Sequence, residues 1–440
     1  MAAFRLALCA TALLPQLAGG QALRVDSSTL VARSLSNHPL IEPHLAIDPL
    51  HPQRILAAAF SERDRRVPFS QGVHEQACST FLSQDSGRTW MRHDFDATGC
   101  FDPWVAITPD GAALVTVIAR HHAFPQQGDG GLLSYRSSDG GVTWDSLPLG
   151  LGPNHDHTTL AVDLSQGKRR GWIYVQSHRG RSSDDGRYRY GLYLARSRNG
   201  GRSFDDPVWV IPNNLHNLAE MPVVLSDGTL IASFVDASYT PDSSNSTSGR
   251  PGEMLFERRR AWVVRSTDGG TSFSVPLFVT DACGPPPGYR LSAFAADVSR
   301  GSHDGSLYFA CRAAGRGPIV VTHSRDRGET WSPVVRMTAT ERDTAQYPIP
   351  GLAVNDSGHV LVAWIGGSAG GSRGCETDLY AAVSTNGGMS FSPAVRVASC
   401  AGGGDYFGVA SVQGGRFRLL WPETRDGVQQ LRTSIVAVLP

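Results

Sequence analysis

Lysine is almost missing from this 440-residue chain: of 40 basic residues only Lys168 is not arginine. A Schiff-base amine would have to be that one residue. It lies in Gly167-Lys168-Arg169-Arg170, which lacks the Ser/Thr that completes a phosphate-binding P-loop. Net charge is missing too, because 40 basic and 40 acidic residues cancel. The chain therefore has no long-range field of the kind that gathers nucleic acid or an anionic membrane surface. No segment approaches 18 uninterrupted apolar residues, so a membrane span is not expected. Glycine and proline are plentiful, 48 and 27 residues, but show no collagen period, and 41% of the chain is hydrophobic, which supports a large core.

The N-terminus carries Arg5, an apolar stretch from Leu6 to Leu14, and the small residues Ala18-Gly19-Gly20-Gln21-Ala22. This pattern predicts a secretory signal over residues 1–22, with cleavage after Ala22 and an exported product over 23–440. Cys9 leaves with the signal, and Cys78, Cys100, Cys283, Cys311, Cys375 and Cys400 remain. An even count in an exported chain, without a C-x-x-C pair, favours disulfides over metal thiolates.

One phrase recurs six times, starting at Ser83, Ser137, Ser197, Ser266, Ser324 and Ser384, as in Ser83-Gln-Asp85-Ser-Gly87-Arg-Thr89-Trp90. Each copy follows a short strand-like run and precedes another, so each is a tight turn between strands. Glycine supplies positive φ, Ser and Asp cap backbone amides, and the aromatic residue plugs the apolar side. The phrase resembles the Asp-box (BNR) repeat of sialidase-like β-propellers. That resemblance makes the box aspartates structural, and Asn199 and Asn386 fill the same position in two copies.

Between boxes the order strand, Gly/Asp turn, strand, loop, strand is that of a four-stranded propeller blade. After the sixth box three strands remain, near 407–412, 416–421 and 429–438, and Ser28 to Arg33 is available as a fourth. The fold class predicted is all-β, a single propeller of seven four-stranded blades closed by an N-terminal strand. Six blades with accessory terminal strands is the alternative.

With the box turns at one end, all six cysteines fall at the opposite end, where the pairs 78–100, 283–311 and 375–400 close short local loops. The inner strands begin at that same mouth with Glu42, Asp102 and Trp104, Asp156 between His155 and His157, Glu220, Tyr289 and Arg290, Tyr347, and Asp405 with Tyr406. Arginines at the ends of second strands or in the loops that follow, Arg63, Arg120, Arg179, Arg312 and Arg425, join the same face. His155-Asp156-His157 and His121-His122 could ligate a metal, but adjacent residues of a strand point to opposite faces, so at most one of each pair faces inward, which disfavours a zinc centre. No cofactor is required, and Ca²⁺ or Mg²⁺ held by ring carboxylates is the metal the residues would accept.

The resemblance to sialidases implies a tyrosine nucleophile activated by a glutamate, an aspartate acid/base and an arginine clamp on a substrate carboxylate. Tyr406, Glu220 and Asp64 occupy the matching places. The clamp departs from the family: Glu42-Pro43-His44 stands where an arginine opens the first inner strand, leaving Arg312 and Arg425 as candidate clamp residues. Glu42, Asp102, Trp104, Asp156, Tyr289, Arg290 and Tyr347 complete the expected substrate-binding ring, the aromatics as stacking surfaces. The function implied is glycoside hydrolysis by a secreted monomer acting on a carbohydrate or glycoconjugate. A non-catalytic propeller that binds glycan or protein is the alternative.

Overall fold

A computed structural model describes residues 23–34, 39–61, 76–182, 188–211, 216–241, 254–284, 291–314, 317–338, 349–367, 375–402, 404–425 and 428–439. They form seven antiparallel sheets. The first blade runs Leu40–Ile47, Ile55–Ser61, Ala77–Ser83 and Met91–Asp94 from axis to rim. The inner strands of the next five are Thr98–Ile107, His155–Val162, His216–Val224, Ala293–Ala296 and Ile349–Val354. The seventh sheet orders Gly408–Val412, Arg416–Arg425 and Val428–Val438 outward. Each inner strand packs against the next, and the seventh returns to the first, so the ring is closed.

The second strands read as near-continuous apolar runs because neighbouring blades cover both of their faces. Residues 55–59 and 360–364 are each 1% exposed or less, and Trp364 and Trp421 are fully buried between blades. Truncating either indole to alanine costs about 3–5 kcal/mol.

Closure differs in detail from the single strand predicted over 28–33. The outer strand of blade seven comes in two pieces, Leu23–Val25 beside Val436–Val438 and Thr29–Arg33 beside Gln430–Thr433. Ser28 is drawn out of the ladder because Arg432 donates Nη2 to its carbonyl at 2.9 Å and Nε to its hydroxyl at 3.0 Å. Leu23 and Val31 are buried, so both pieces contribute to the core.

The boxes are built as their residue types require. The Asp85 carboxylate accepts the amides of Arg88 and Thr89 at 3.0 and 2.9 Å and the Thr89 hydroxyl at 2.6 Å, while the Ser83 hydroxyl accepts the Gly87 amide at 2.8 Å. Where asparagine replaces aspartate the fourth-residue partner reverses role: Asn199 Nδ2 donates to Ser203 Oγ at 2.8 Å. Gly201 shows why glycine is needed. Its φ is +82°, and a Cβ there would lie 2.5 Å from Leu114 of the preceding blade. Each box therefore also fixes the spacing between blades. The disulfides are Cys78–Cys100, Cys283–Cys311 and Cys375–Cys400, the sequential pairing predicted.

Candidate active site at the axial mouth

The inner strands of the first four blades are each interrupted near their start, where pairing with the second strand skips at 41–44, 101–104, 156–159 and 219–222. In the first three, one residue without glycine's freedom sits in the left-handed region: Glu42 at φ 51°, Asp102 at 52° and His157 at 51°. Such a conformation costs about 1–3 kcal/mol per residue. The bulge re-aims side chains, which is how the consecutive residues Asp156 and His157 come to share one site. The strand-alternation expectation for this pair is thereby corrected, since alternation holds only for an uninterrupted strand.

Around the axis the polar groups interlock. The Asp405 amide donates to Glu42 Oε1 at 3.0 Å, and the His157 amide donates to Asp102 Oδ2 at 3.2 Å. The His157 ring spans two carboxylates, with Nδ1 3.4 Å from Asp156 Oδ1 and Nε2 3.6 Å from Asp405 Oδ2. Burial, reinforced by the Asp102 and Asp405 charges, pushes the Glu42 carboxyl well above its ordinary value. Burial likewise raises Asp102, which hydrogen-bonds to Glu42, so this pair holds a proton at a pH where isolated carboxylates do not. Burial opposes charge on His157, but Asp156 and Asp102 outweigh it and hold the imidazole well above its ordinary value. The same imidazolium outweighs burial at Asp156 and holds that carboxylate ionised. Asp156 keeps 46% of its side-chain surface open, so this ionised carboxylate faces solvent.

Beneath this layer lies an aromatic plug. His44 stacks on Trp104 at 3.8 Å, and Trp104 packs at 5.2 Å against Tyr406. Trp104 and Tyr406 are 6% and 2% exposed, so neither ring is the open stacking surface expected from the sequence. The Tyr406 hydroxyl donates to the Pro103 carbonyl at 3.3 Å, and burial together with Asp102, Glu42 and Asp405 pushes its pKa well above 10. Glu220 is fully buried. Its carboxylate accepts Arg259 Nη2 at 3.1 Å and the Ser292 amide and hydroxyl at 2.6 and 3.1 Å, and burial, against the Arg259 charge, raises its pKa to about 7.

Glu42, Asp102, Trp104, Asp156 and Tyr406 are thus brought together. Arg312 is buried at the end of the strand Leu307–Arg312. Arg425 lies with its Nε 3.4 Å from Glu423 Oε1 in a cleft it shares with Arg396 and Cys400. Arg179 donates to the Pro153 carbonyl at 2.9 Å and covers Tyr193 and Trp209. Asp64, Arg63, Tyr289, Arg290 and Tyr347 lie outside the described residues. His178, Arg259 and Ser292 escaped the sequence reading. His178 and Arg259 stand on the second and third strands Ile173–Ser182 and Met254–Ser266, and Ser292 directly precedes the inner strand Ala293–Ala296, two residues past the Tyr289-Arg290 pair read as its opening.

Asp156, His157 and His178 each offer a ligand atom within 4.8 Å of the others, a spacing that suits a cation. The chemistry of the rings argues against a transition metal. His178 Nδ1 accepts the Ala219 amide at 3.3 Å, which leaves the ring proton on Nε2, 3.5 Å from Asp156 Oδ2. Against burial, Asp156 and Asp102 raise the His157 imidazole well above its ordinary value, which works against its offering a lone pair. The donors left are carboxylate oxygens, which suit Ca²⁺ or Mg²⁺.

The sequence model of the BNR repeat-like domain matches residues 50–283, more than half of the chain. The chain belongs to the BNR repeat-like domain family. No curated protein matches its sequence. Among solved structures, a protein of unknown function from Dyadobacter fermentans shares the fold with a TM-score of 0.54 at 15% identity, over 95% of this chain and 99% of its own. A Penicillium chrysogenum alpha-L-arabinanase complexed with arabinobiose aligns at 0.49 and 12% identity, over 94% of this chain and 98% of its own. A Hadza microbial sialidase aligns at 0.48 and 16% identity, over 94% and 68%. This BNR member is a propeller of seven blades.

Proposed function

We propose that the chain is an exported glycoside hydrolase whose chemistry is carried by the axial carboxylates. The observation that carries this reading is the left-handed strain at Glu42, Asp102 and His157, spent at equivalent places in three blades to aim ionisable groups at one point. Glycoside hydrolysis needs one carboxyl that keeps a proton for the leaving oxygen and one carboxylate that activates water or attacks the anomeric carbon. The proton-sharing Glu42–Asp102 pair supplies the first, and ionised, solvent-facing Asp156 the second. His157 keeps Asp156 charged while the shared proton stays on its neighbours. Three disulfides support export, since such bonds persist in oxidising compartments.

A second reading has its own support. The Tyr406 hydroxyl is engaged with a backbone carbonyl and the Glu220 carboxylate with Arg259 and Ser292, so the groups matching the sialidase nucleophile and its activator serve as framework. This favours a binding propeller. A panel of chromogenic glycosides, sialosides included, separates the two. Hydrolysis lost in Asp102→Asn and kept in Tyr406→Phe supports carboxylate catalysis. Hydrolysis lost in Tyr406→Phe restores the tyrosine as nucleophile, and glycan binding without cleavage of any glycoside establishes the binding module.

A further inference from the structure

A second cleft opens on the same face as the axial mouth, where the first blade passes to the second. It has a volume of about 470 Å³ and is lined by Asp96, Thr98, Arg120, His121, His122 and Pro125, among others. His121, 3% exposed, forms part of its floor. His121 Nδ1 accepts the Ala123 amide at 3.1 Å, so the ring proton resides on Nε2, and that buried N–H has no partner among the described residues. Behind it the Tyr135 ring lies 6.3 Å from the His121 ring. Tyr135 is 2% exposed and its hydroxyl also lacks a partner among the described residues. Burial and the Asp96 carboxylate raise its pKa, which keeps it an O–H donor. His122 stacks on His121 at 4.3 Å and places Nδ1 3.9 Å from Asp96 Oδ2.

His121 on the cleft floor and Tyr135 behind it are two buried donors without acceptors among the described residues, which is costly unless something supplies the acceptors. Neither donor belongs to the axial cluster. Yet Thr98 on the cleft wall precedes Asp102 by four residues of one inner strand, which spans about 13 Å at the rise of an extended chain. A glycan held on the axis reaches that far within a short oligosaccharide. Sugar hydroxyls accept and donate at once, and the face of a sugar ring matches a stacked imidazole pair, so an uncharged sugar suits the donor on the cleft floor and the His121–His122 stack.

We propose that this cleft is an accessory glycan subsite, which holds an uncharged sugar unit of a chain whose reacting end lies at the axis. The inference rests on the glycan-directed reading of the mouth and deepens it: the preferred substrate is an oligosaccharide.

The test uses the full exported chain with two variants, Tyr135→Phe, which removes one oxygen from a packed ring, and His121→Phe, which keeps the ring and removes the N–H. Binding is measured on an array of defined oligosaccharides of two to eight units, and turnover on single-sugar aryl glycosides that fill only the axis. The proposal expects each variant to weaken binding of the longer oligosaccharides about three- to tenfold, the scale of one lost hydrogen bond, and to leave kcat on the aryl glycosides unchanged. Equal binding by wild type and variants at every chain length, or no oligosaccharide bound by the wild type, overturns it and leaves a cleft filled by ordered water only. Weakened binding in the variants, with no glycoside cleaved by the wild type, keeps the subsite and removes the hydrolase reading instead.

Discussion

Asp85 and Asp102 are the same residue type at opposite ends of neighbouring blades, and their surroundings drive them in opposite directions. Hydrogen bonds from the Thr89 hydroxyl and amide, with those of Ser83 and Arg88, hold Asp85 far below the ordinary carboxylate range. Burial raises Asp102, and the nearby Asp156 and Asp405 charges add to the rise. At the box end each box aspartate is held by its own turn, and the pattern repeats with little change from blade to blade. At the mouth acids crowd together, the repeat is broken, and Glu42, Asp102 and His157 take left-handed backbone where three inner strands open. An aspartate satisfied by its own turn is framework, and one left short of donors beside other acids is poised for chemistry.

The largest effect that would sharpen this contrast is on turnover. Glu42→Gln or Asp102→Asn is expected to lower kcat on a cleaved glycoside by about 10²- to 10⁴-fold, the usual contribution of a positioned acid or base. The melting temperature should change little, because each substitution removes a buried carboxyl and keeps its shape. Full activity in both variants would break the assignment of the mouth.

Gly201→Ala should act in the reverse sense. A methyl group 2.5 Å from Leu114 at φ +82° adds steric overlap to left-handed strain, together about 2–5 kcal/mol. Urea denaturation should show that loss while activity per folded molecule is retained. A stable but inactive variant would show that the box end takes part in the chemistry.

Acid should probe the plug under the mouth. Burial lowers His44 to about 3 from an ordinary 6.5. A group with a depressed folded-state pKa binds fewer protons folded than unfolded across that interval. Its stabilising contribution is therefore complete above pH 6.5 and is lost as pH falls toward 3, by roughly 5 kcal/mol at 1.36 kcal/mol per unit. The dependence of stability on pH between 3 and 6.5 should be shallower in His44→Gln than in the wild type. An identical slope would mean that His44 is not neutral in the folded chain.

The smallest effect is expected at the box carboxylate itself. Asp85→Asn should leave activity unchanged and shift stability by no more than about 0.5 kcal/mol, because Asn199 and Asn386 make the equivalent bonds. A large activity loss there would erase the distinction between the two ends.

The propeller was legible because its information is local and repeated. Ser, Asp and Gly fix a turn through bonds that span four residues, so six copies define six blades wherever the chain goes. The three strands left at the C-terminus and Ser28 to Arg33 pointed to the seventh blade, although the second N-terminal piece, Leu23–Val25, carried no turn signal of its own. The cysteine pairs followed from strand polarity, which sorts residues by end once the turns are placed.

The mouth was legible in its membership and not in its geometry. The residues opening the inner strands could be named, since Glu42, Asp102, Asp156, Asp405 and Tyr406 stand at equivalent places in the repeat. Whether Asp156 and His157 face one site depends on a bulge whose strain is met by contacts from neighbouring blades. Whether Tyr406 is an open nucleophile or a buried packing group depends on Trp104 and Pro103, about 300 residues away in sequence. Charge states belong to the same class. Hydrogen bonds within one turn are settled by neighbouring residues, so the sequence by itself determined the blades. Burial and the sum of surrounding charges are settled by the packing of seven distant segments, so only the tertiary structure decided which acids hold protons.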